Sequence, residues 1–180
     1  MVDQLDIAML QRMRRSRIGN YVLPGLTSWI IGAPHDGGCV RMFSSEREQQ
    51  ECITPHSHRF EFQCLVLRGR VMNRVWNQVW GDRGDRFATS RLVYDSLGHY
   101  EKHFVDVRRF EFADHIFTEG MRYSMTANEI HSIYFGARTE VLFFEGPSVS
   151  NQSTILEPYV DDEIVPTFEV RPWMFKKEPS

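Results

Sequence analysis

Long apolar runs are absent from this sequence of 180 residues, and their absence excludes one class of protein. No stretch approaches the roughly 20 consecutive apolar residues that a membrane-spanning helix needs. The first residues also lack the uninterrupted apolar segment of a signal peptide, because Asp3, Gln4 and Asp6 interrupt it. We therefore expect a soluble, cytoplasmic protein with no membrane as a partner.

Cysteine and net charge are scarce as well. The three cysteines, Cys39, Cys52 and Cys64, form no Cys-x-x-Cys pair, and an odd number of them argues against a disulfide framework. The formal net charge is only −3, so nothing in the total predicts nucleic acid as a partner. We expect reduced thiols and no nucleic-acid partner.

The residues that are present suit one packed domain. Hydrophobic residues make up 42% of the chain and aromatic residues 13%, which is enough for a sizeable core. Apolar residues at helical spacing predict a helix over residues 2–16, with acidic residues in its first turn and arginines in its last. We divide the chain into an N-terminal helix (1–18), a barrel (19–156) and an extended C-terminal tail packed on the barrel (157–180).

Short runs rich in β-branched and aromatic residues, broken by Gly, Pro and Asp, follow the predicted helix. Many short strands separated by turn signals indicate an all-β sandwich or barrel. The Arg-Gly-Asp triplet within residues 81–87 is interpreted as part of a charged loop that joins two strands. The predicted strands are 21–23, 27–32, 39–44, 50–54, 60–69, 70–80, 99–107, 110–117, 122–127, 129–135 and 141–146.

Two segments that contain histidine carry the functional signal. His56 and His58 lie two residues apart at the start of a predicted strand, so their side chains point the same way. Two imidazoles that converge on one point indicate a metal site. His131 belongs to the second segment, eleven residues after Gly120. Single histidines without a motif are interpreted as structural: His99, His103 and His115.

The first segment resembles the first motif of the cupin superfamily, H-x-H-x3-E-x6-G. His56, His58 and Gly69 match this motif at the correct spacing. Phe62 stands where the motif has its glutamate. The resemblance therefore implies a histidine pair that lacks the usual carboxylate ligand beside it.

The second segment resembles the second cupin motif, G-x5-P-x-G-x2-H-x3-N. Gly120 and His131 match, whereas Thr-Ala-Asn replaces Pro-x-Gly and Phe135 replaces the final asparagine. Together the two motifs imply an all-β cupin jelly-roll (double-stranded β-helix) barrel, with a short N-terminal helix added to it. They also imply that His56, His58 and His131 bind a divalent metal.

Strand alternation decides which residues near the first motif face the barrel interior. Residues at the parity of the two histidines are Phe60, Phe62, Cys64 and Val66. Glu61 and Gln63 then face outward, and either one reaches the metal only through a bulge that changes the strand register. Residues at the parity of His131 are Met125, Ala127, Glu129, Ile133 and Phe135. We expect a substrate pocket lined by Phe60, Phe62, Cys64 and Met125.

Three neutral imidazoles leave the +2 charge of the metal uncompensated, which favours an anionic substrate or a dioxygen-derived anion. Within the cupins this site resembles that of the thiol dioxygenases, although their Ser-x-His-x-Tyr signature is absent here. The resemblance implies a mononuclear Fe(II) dioxygenase that acts on a small thiol or anionic molecule. By ligand type, Zn, Ni, Cu and Mn stay open as the metal.

Other readings of the sequence stay open beside the dioxygenase. One is a non-catalytic cupin that binds a small ligand or has a structural role, and another is a sugar isomerase or epimerase. Arg68 has the parity of the ligands and could hold a carboxylate, but it borders the turn at Gly69 and is interpreted as solvent-facing. Because cupins often pair, the resemblance also implies a homodimer.

Overall fold

Strands dominate the computed structural model, which describes residue 13 and residues 15–32, 38–49 and 54–164. Eleven strands form within these ranges, so the all-β fold class predicted from the sequence is confirmed. They are β1 (Leu26–Gly32), β2 (Cys39–Ser45), β3 (Phe60–Arg68), β4 (Arg70–Val79), β5 (Asp85–Tyr94), β6 (Tyr100–Thr118), β7 (Arg122–Met125), β8 (Ile130–Phe135), β9 (Thr139–Ser148), β10 (Gln152–Val160) and β11 (Glu163–Ile164).

Antiparallel pairing arranges the strands in two sheets. The first sheet has the order β1-β2-β9-β3-β7, and the second has the order β11-β10-β5-β6-β4-β8. The segment just before β3 joins two strands of the second sheet, because His56 bridges both His131 in β8 and Ile155 in β10. This closure turns the two sheets into a jelly-roll barrel and brings the two histidine segments together.

The main core lies between the two sheets. Val66 in β3 and Val141 in β9 pack in one cluster with Val71 in β4 and Phe135 in β8, and each is at most 4% exposed. Full burial of side chains of this size stabilises the fold by about 1.5–3 kcal/mol each. The barrel interior around these residues is therefore apolar.

Strand β3 shows the alternation that the sequence predicts. Phe62 and Cys64 are 3% and 2% exposed, whereas Glu61 and Gln63 are exposed to solvent. The pairing of β3 with β9 shifts register between Phe60 and Phe62, next to Glu61. The extra residue belongs to β9, so β3 keeps its alternation and Glu61 stays outside the barrel.

The predicted strand over residues 21–23 is wrong. These residues form a turn in which the N–H of Leu23 donates to the carbonyl of Tyr21, and Val22 has a positive φ of 62°. Leu23 is 1% exposed, so this apolar run is buried against the core without pairing in a sheet. Burial against the core, without strand pairing, accounts for the apolar composition of residues 21–23.

The two strands predicted over 99–107 and 110–117 form one strand, β6. A break was expected at the charged residues between them. Arg109 instead pairs with Val79 of β4 on one edge and with Arg86 of β5 on the other, so the backbone stays extended there. Pairing on both edges overrides the local sequence signal.

Strands β5, β10 and β11 are absent from the prediction. In β5 the buried positions include Thr89 and Ser90, which are 7% and 1% exposed, so the apolar pattern of a strand is weak. The Arg-Gly-Asp triplet lies where the turn after β4 meets β5, and its loop role is confirmed for residues 81–84. Its last residue, Asp85, begins β5.

Several predictions fall on residues that the structure does not describe. Helical backbone is present at Met13 and Arg15, Ser16 lies in a turn, and the other residues of the helix predicted over 2–16 lie outside the described residues. The same holds for residues 50–53 of the strand predicted over 50–54, which include Cys52.

The predicted C-terminal tail begins inside the second sheet. The boundary expected between residues 156 and 157 falls within β10, and Glu163–Ile164 then form β11 at the sheet edge. Residues 165–180 lie outside the described residues. Within the described ranges, no helix has both the length and the apolar character needed to span a bilayer.

Candidate metal centre

Backbone hydrogen bonds place the three predicted ligands. The N–H of His56 donates to the His131 carbonyl at 3.0 Å, and the N–H of His131 donates back to His56 at 2.9 Å. The N–H of His58 donates to the carbonyl of Ala127 at 3.0 Å. The two histidine segments are thus held side by side although β3 itself begins only at Phe60.

The imidazole rings converge inside the barrel. One ring nitrogen from each of His56, His58 and His131 can be chosen so that all three lie within 4.8 Å of one another. The Nε2 atoms of His58 and His131 are 2.9 Å apart. His131 is 4% exposed, so solvent barely reaches its ring.

Hydrogen bonds fix which ring nitrogen carries the proton on two of the histidines. Nδ1 of His56 lies 2.7 Å from the Thr54 carbonyl, which can only accept, so Nδ1 carries the hydrogen. Nδ1 of His131 lies 2.6 Å from Oδ1 of Asn73, and the Asn73 amide nitrogen donates to the Met125 sulfur at 3.2 Å. Both rings therefore keep an unprotonated Nε2, which is the tautomer that binds a metal.

Burial keeps these rings neutral. Loss of hydration lowers the pKa of His56 below its usual value. The pKa values of His58 and His131 are lowered well below the usual range, first by burial and then by the neighbouring histidines. Neutral imidazoles with free lone pairs are the form that coordinates divalent metals, so the site is ready to bind one.

Two closed antiparallel sheets thus hold the histidines of both motifs against one another inside a barrel. This is the arrangement that the motifs imply. The chain has the cupin fold. No protein-family model matches the sequence, and no curated protein does.

Solved structures similar to the cupin barrel align with about two thirds of this chain. One is a cupin superfamily protein from Desulfitobacterium hafniense DCB-2, with 13% identity over 68% of this chain and 78% of the other, and a TM-score of 0.40. An RmlC-like cupin from Shewanella frigidimarina NCIMB 400 has 12% identity over 69% and 78%, with a TM-score of 0.41. Hydroquinone 1,2-dioxygenase from Sphingomonas sp. TTNP3 has 9% identity over 67% and 66%, with a TM-score of 0.41. At these identities the likeness concerns the fold alone.

The predicted ligands meet in the cupin barrel, whereas the other candidates do not join them. Glu61 and Gln63 are exposed, and neither belongs to the group of residues that could share a metal. Arg68 is exposed, as interpreted from its position before the turn. The histidines interpreted as structural are exposed as well: His99, His103 and His115.

A cavity of about 220 Å³ adjoins the histidines. Phe60, Phe62 and Cys64, which we expect in the substrate pocket, line it. Burial raises the pKa of the Cys64 thiol to about 12, so this side chain is a neutral part of the wall. The cavity is larger than the ~150 Å³ apolar cavity that admits benzene in another protein, which gives the scale of a ligand.

Met125, expected in the substrate pocket, and Glu129, expected on the face of His131, do not line this cavity. Met125 is 4% exposed but lies behind Asn73, whose amide donates to its sulfur, and it does not line the cavity. Glu129 is exposed, because a turn between Thr126 and Glu129 ends the alternation before His131. The carboxylate of Glu129 instead accepts from the N–H of Thr126 at 2.6 Å.

The structure adds three site residues that the sequence reasoning missed. Asn73 holds His131, while Arg41 and Glu145 line the cavity. Alternation along the predicted strand 39–44 places Arg41 on one face with Cys39 and Phe43, and this signal was available in the sequence. Asn73 and Glu145 lie in predicted strands but have no local motif.

Replacing Asn73 with leucine is expected to weaken metal binding by about 10–100-fold. The substitution removes the acceptor that fixes the Nδ1 proton and ring orientation of His131, while the side-chain volume stays similar. Titration against a chromophoric chelator measures the affinity. Asn77→Leu is the matched control, since Asn77 is exposed on the same strand. Equal affinities of the two variants would contradict this role of Asn73.

Proposed function

We propose that this cupin-fold protein is a metal-dependent oxidoreductase, specifically a mononuclear Fe(II) dioxygenase for a small molecule. His56, His58 and His131 hold the metal in this proposal. The observation that supports it is the convergence of three neutral imidazoles, one buried and two half-buried, in a group that includes no carboxylate among the described residues. Zn, Ni, Cu and Mn suit the same ligands, so the identity of the metal is part of the test.

The spacing of the rings fits a bound metal. Two nitrogens that each lie about 2.0–2.1 Å from one ion at a right angle are about 3 Å apart. Nε2 of His58 and Nε2 of His131 are 2.9 Å apart. With Nε2 of His131 unprotonated, the Nε2–H of His58 donates to it across this distance in the metal-free protein, and a bound metal would take the place of that hydrogen.

Three protein ligands leave coordination positions open, and a bound Fe(II) would there supply the redox chemistry that activates dioxygen. The protein's own residues prepare the pocket around that position. Asn73 and the Thr54 carbonyl accept the Nδ1 protons of His131 and His56, so these protons point away from the proposed metal position. Phe60 and Phe62 pack against His58, with ring centroids 5.1 and 4.9 Å away, and form an apolar wall beside it.

The cavity wall disfavours the sugar isomerase alternative. A sugar needs many hydrogen-bond partners, whereas five phenylalanines line the cavity that adjoins the histidines: Phe43, Phe60, Phe62, Phe135 and Phe143. An apolar or aromatic small molecule suits this wall better. The non-catalytic binding cupin remains the rival proposal, and the homodimer implied by the resemblance remains a prediction.

Protein loaded with Fe(II) without air is expected to consume dioxygen when it is then given air and a substrate. An oxygen electrode, with a set of small thiols and small aromatic carboxylates, measures the uptake. Zn(II)-loaded protein is the control, since zinc suits histidine ligands but has no redox chemistry. Uptake by the iron form alone supports the proposal. An iron form that binds these compounds without dioxygen uptake would contradict it and favour the binding protein.

A further inference from the structure

A partly buried ion pair forms part of the cavity wall. Arg41 in β2 is 6% exposed, and its Nε lies 3.5 Å from Oε2 of Glu145 in β9. The thiol of Cys39 donates to the same oxygen at 3.2 Å. Both Arg41 and Glu145 line the cavity that contains the three histidines.

Strand register places this pair across the first sheet from the metal centre. Arg41 lies opposite Phe143 of β9, and Phe143 lies opposite Cys64 of β3. Neighbouring strands are about 4.8 Å apart, so the Cα atoms of Arg41 and Cys64 are separated by about 10 Å. Glu145 lies opposite Phe62, the residue in the position of the missing cupin glutamate.

Aromatic rings connect the two ends of the cavity. Phe60 lies 5.1 Å from the ring of His58 and 6.2 Å from Phe143, measured between centroids. Phe143 in turn lies 5.7 Å from Phe43, the residue two positions after Arg41 in β2. The cavity therefore has a histidine cluster at one end, an aromatic wall in the middle and a guanidinium at the other end.

We propose that Arg41 binds the carboxylate of a small aromatic carboxylate, whose ring lies against Phe43, Phe60 and Phe143 and whose other end faces the histidines. The reaction at the end of the substrate that faces the histidines rests on the proposed function. Arg41 acts as a positioning and specificity residue for the substrate. Glu145 holds one side of the guanidinium through the contact with Nε.

The charges around the cavity favour an anion over a cation or a neutral molecule. Among the described residues that line it, two arginines, Arg41 and Arg59, outnumber the single carboxylate of Glu145. Arg59 stacks over Tyr94 at 4.3 Å from the ring centroid and adds its positive charge to the same cavity. A divalent metal on three neutral histidines adds two more positive charges.

Calorimetric titration with 3-phenylpropionate and 3-phenylpropanol tests this assignment, since the two probes differ only in the head group. The acid is expected to bind about tenfold or more tightly than the alcohol, in metal-free and in Zn(II)-loaded protein, and Arg41→Met is expected to abolish that preference. Arg68→Met is the matched control, because Arg68 is exposed. The double variant Arg41→Met with Glu145→Gln removes both charges, so no unpaired carboxylate is left buried.

The outcomes separate this proposal from the proposed function. A preference for the acid that metal-free protein shows and that both Arg41 variants lose supports the assignment, even where no dioxygen is consumed. Binding of the acid only to the zinc form, with equal affinity in the Arg41 variants, overturns it while leaving the metal site intact. Equal binding of acid and alcohol by every folded variant overturns it as well. Circular dichroism confirms the fold of each variant.

Discussion

Replacing His131 with alanine is expected to abolish tight metal binding. His131 is the one ligand from the second segment, and its Nε2 lies 2.9 Å from Nε2 of His58. Loss of a residue that merely orients a ligand costs about 10–100-fold in metal affinity, so loss of the ligand itself is expected to exceed 100-fold. The substitution also removes the hydrogen-bond partner of Oδ1 of Asn73, a side chain that is buried.

Metal content after purification, followed by chelator competition, measures this loss. His115→Ala is the matched control, since His115 is an exposed histidine of β6 and is expected to leave the affinity unchanged. Full metal retention in His131→Ala, with the control unchanged, would rule out the three-histidine site. Unfolding by urea in the presence of chelator shows whether the variant still folds.

The site could be predicted from the sequence as far as local spacing carries information. His56 and His58 lie two residues apart, and the alternation after them correctly places Phe62 inside and Glu61 outside. These inferences depend only on the period of a strand. They hold because β9, not β3, carries the extra residue beside Glu61.

The partners of these residues depend on strand order, which local patterns do not encode. Asn73 meets His131 because β4 pairs with β8, and Arg41 meets Glu145 because β2 pairs with β9. Neither pairing joins strands that are adjacent along the chain. A single sequence therefore identifies the ligands of the site more readily than the residues that support them.

The failed predictions have local causes as well. Met125 keeps its inward parity opposite Phe62 in β7, but its sulfur contacts the Asn73 amide and it does not line the cavity. Glu129 was placed on the face of His131 by extending one alternation through residues 122–135. The turn at 126–129 interrupts that alternation. Strand β5 was missed because its apolar pattern is weak. Two of its buried positions hold the polar residues Thr89 and Ser90.

Phe62 gives the site its distinctive ligand set. Its ring lies 4.9 Å from the His58 ring and 5.4 Å from the His131 ring, measured between centroids, and it is 3% exposed. A carboxylate at this position would face the same centre as the histidines. Phenylalanine instead keeps the ligand set neutral and adds apolar wall to the cavity.

Replacing Phe62 with glutamate is therefore expected to make folding depend strongly on metal. Without metal the variant loses the buried ring and buries a carboxyl group beside Glu145, a cost of about 3–5 kcal/mol for the lost ring alone. With Zn(II) bound, the new carboxylate gains a cationic partner and a fourth ligand position is filled. Much of the lost stability is then expected to return.

Urea unfolding with chelator and with Zn(II) measures the gain in stability from metal for each protein. Phe62→Leu is the matched control, because it also loses the ring but supplies no ligand. The gain from Zn(II) is expected to be larger for Phe62→Glu than for either Phe62→Leu or the natural sequence, since metal that binds only the folded state stabilises it. Equal gains in Phe62→Glu and Phe62→Leu would show that residue 62 does not face the metal. In that case Phe62 would not be the reason that the proposed metal site has no carboxylate ligand.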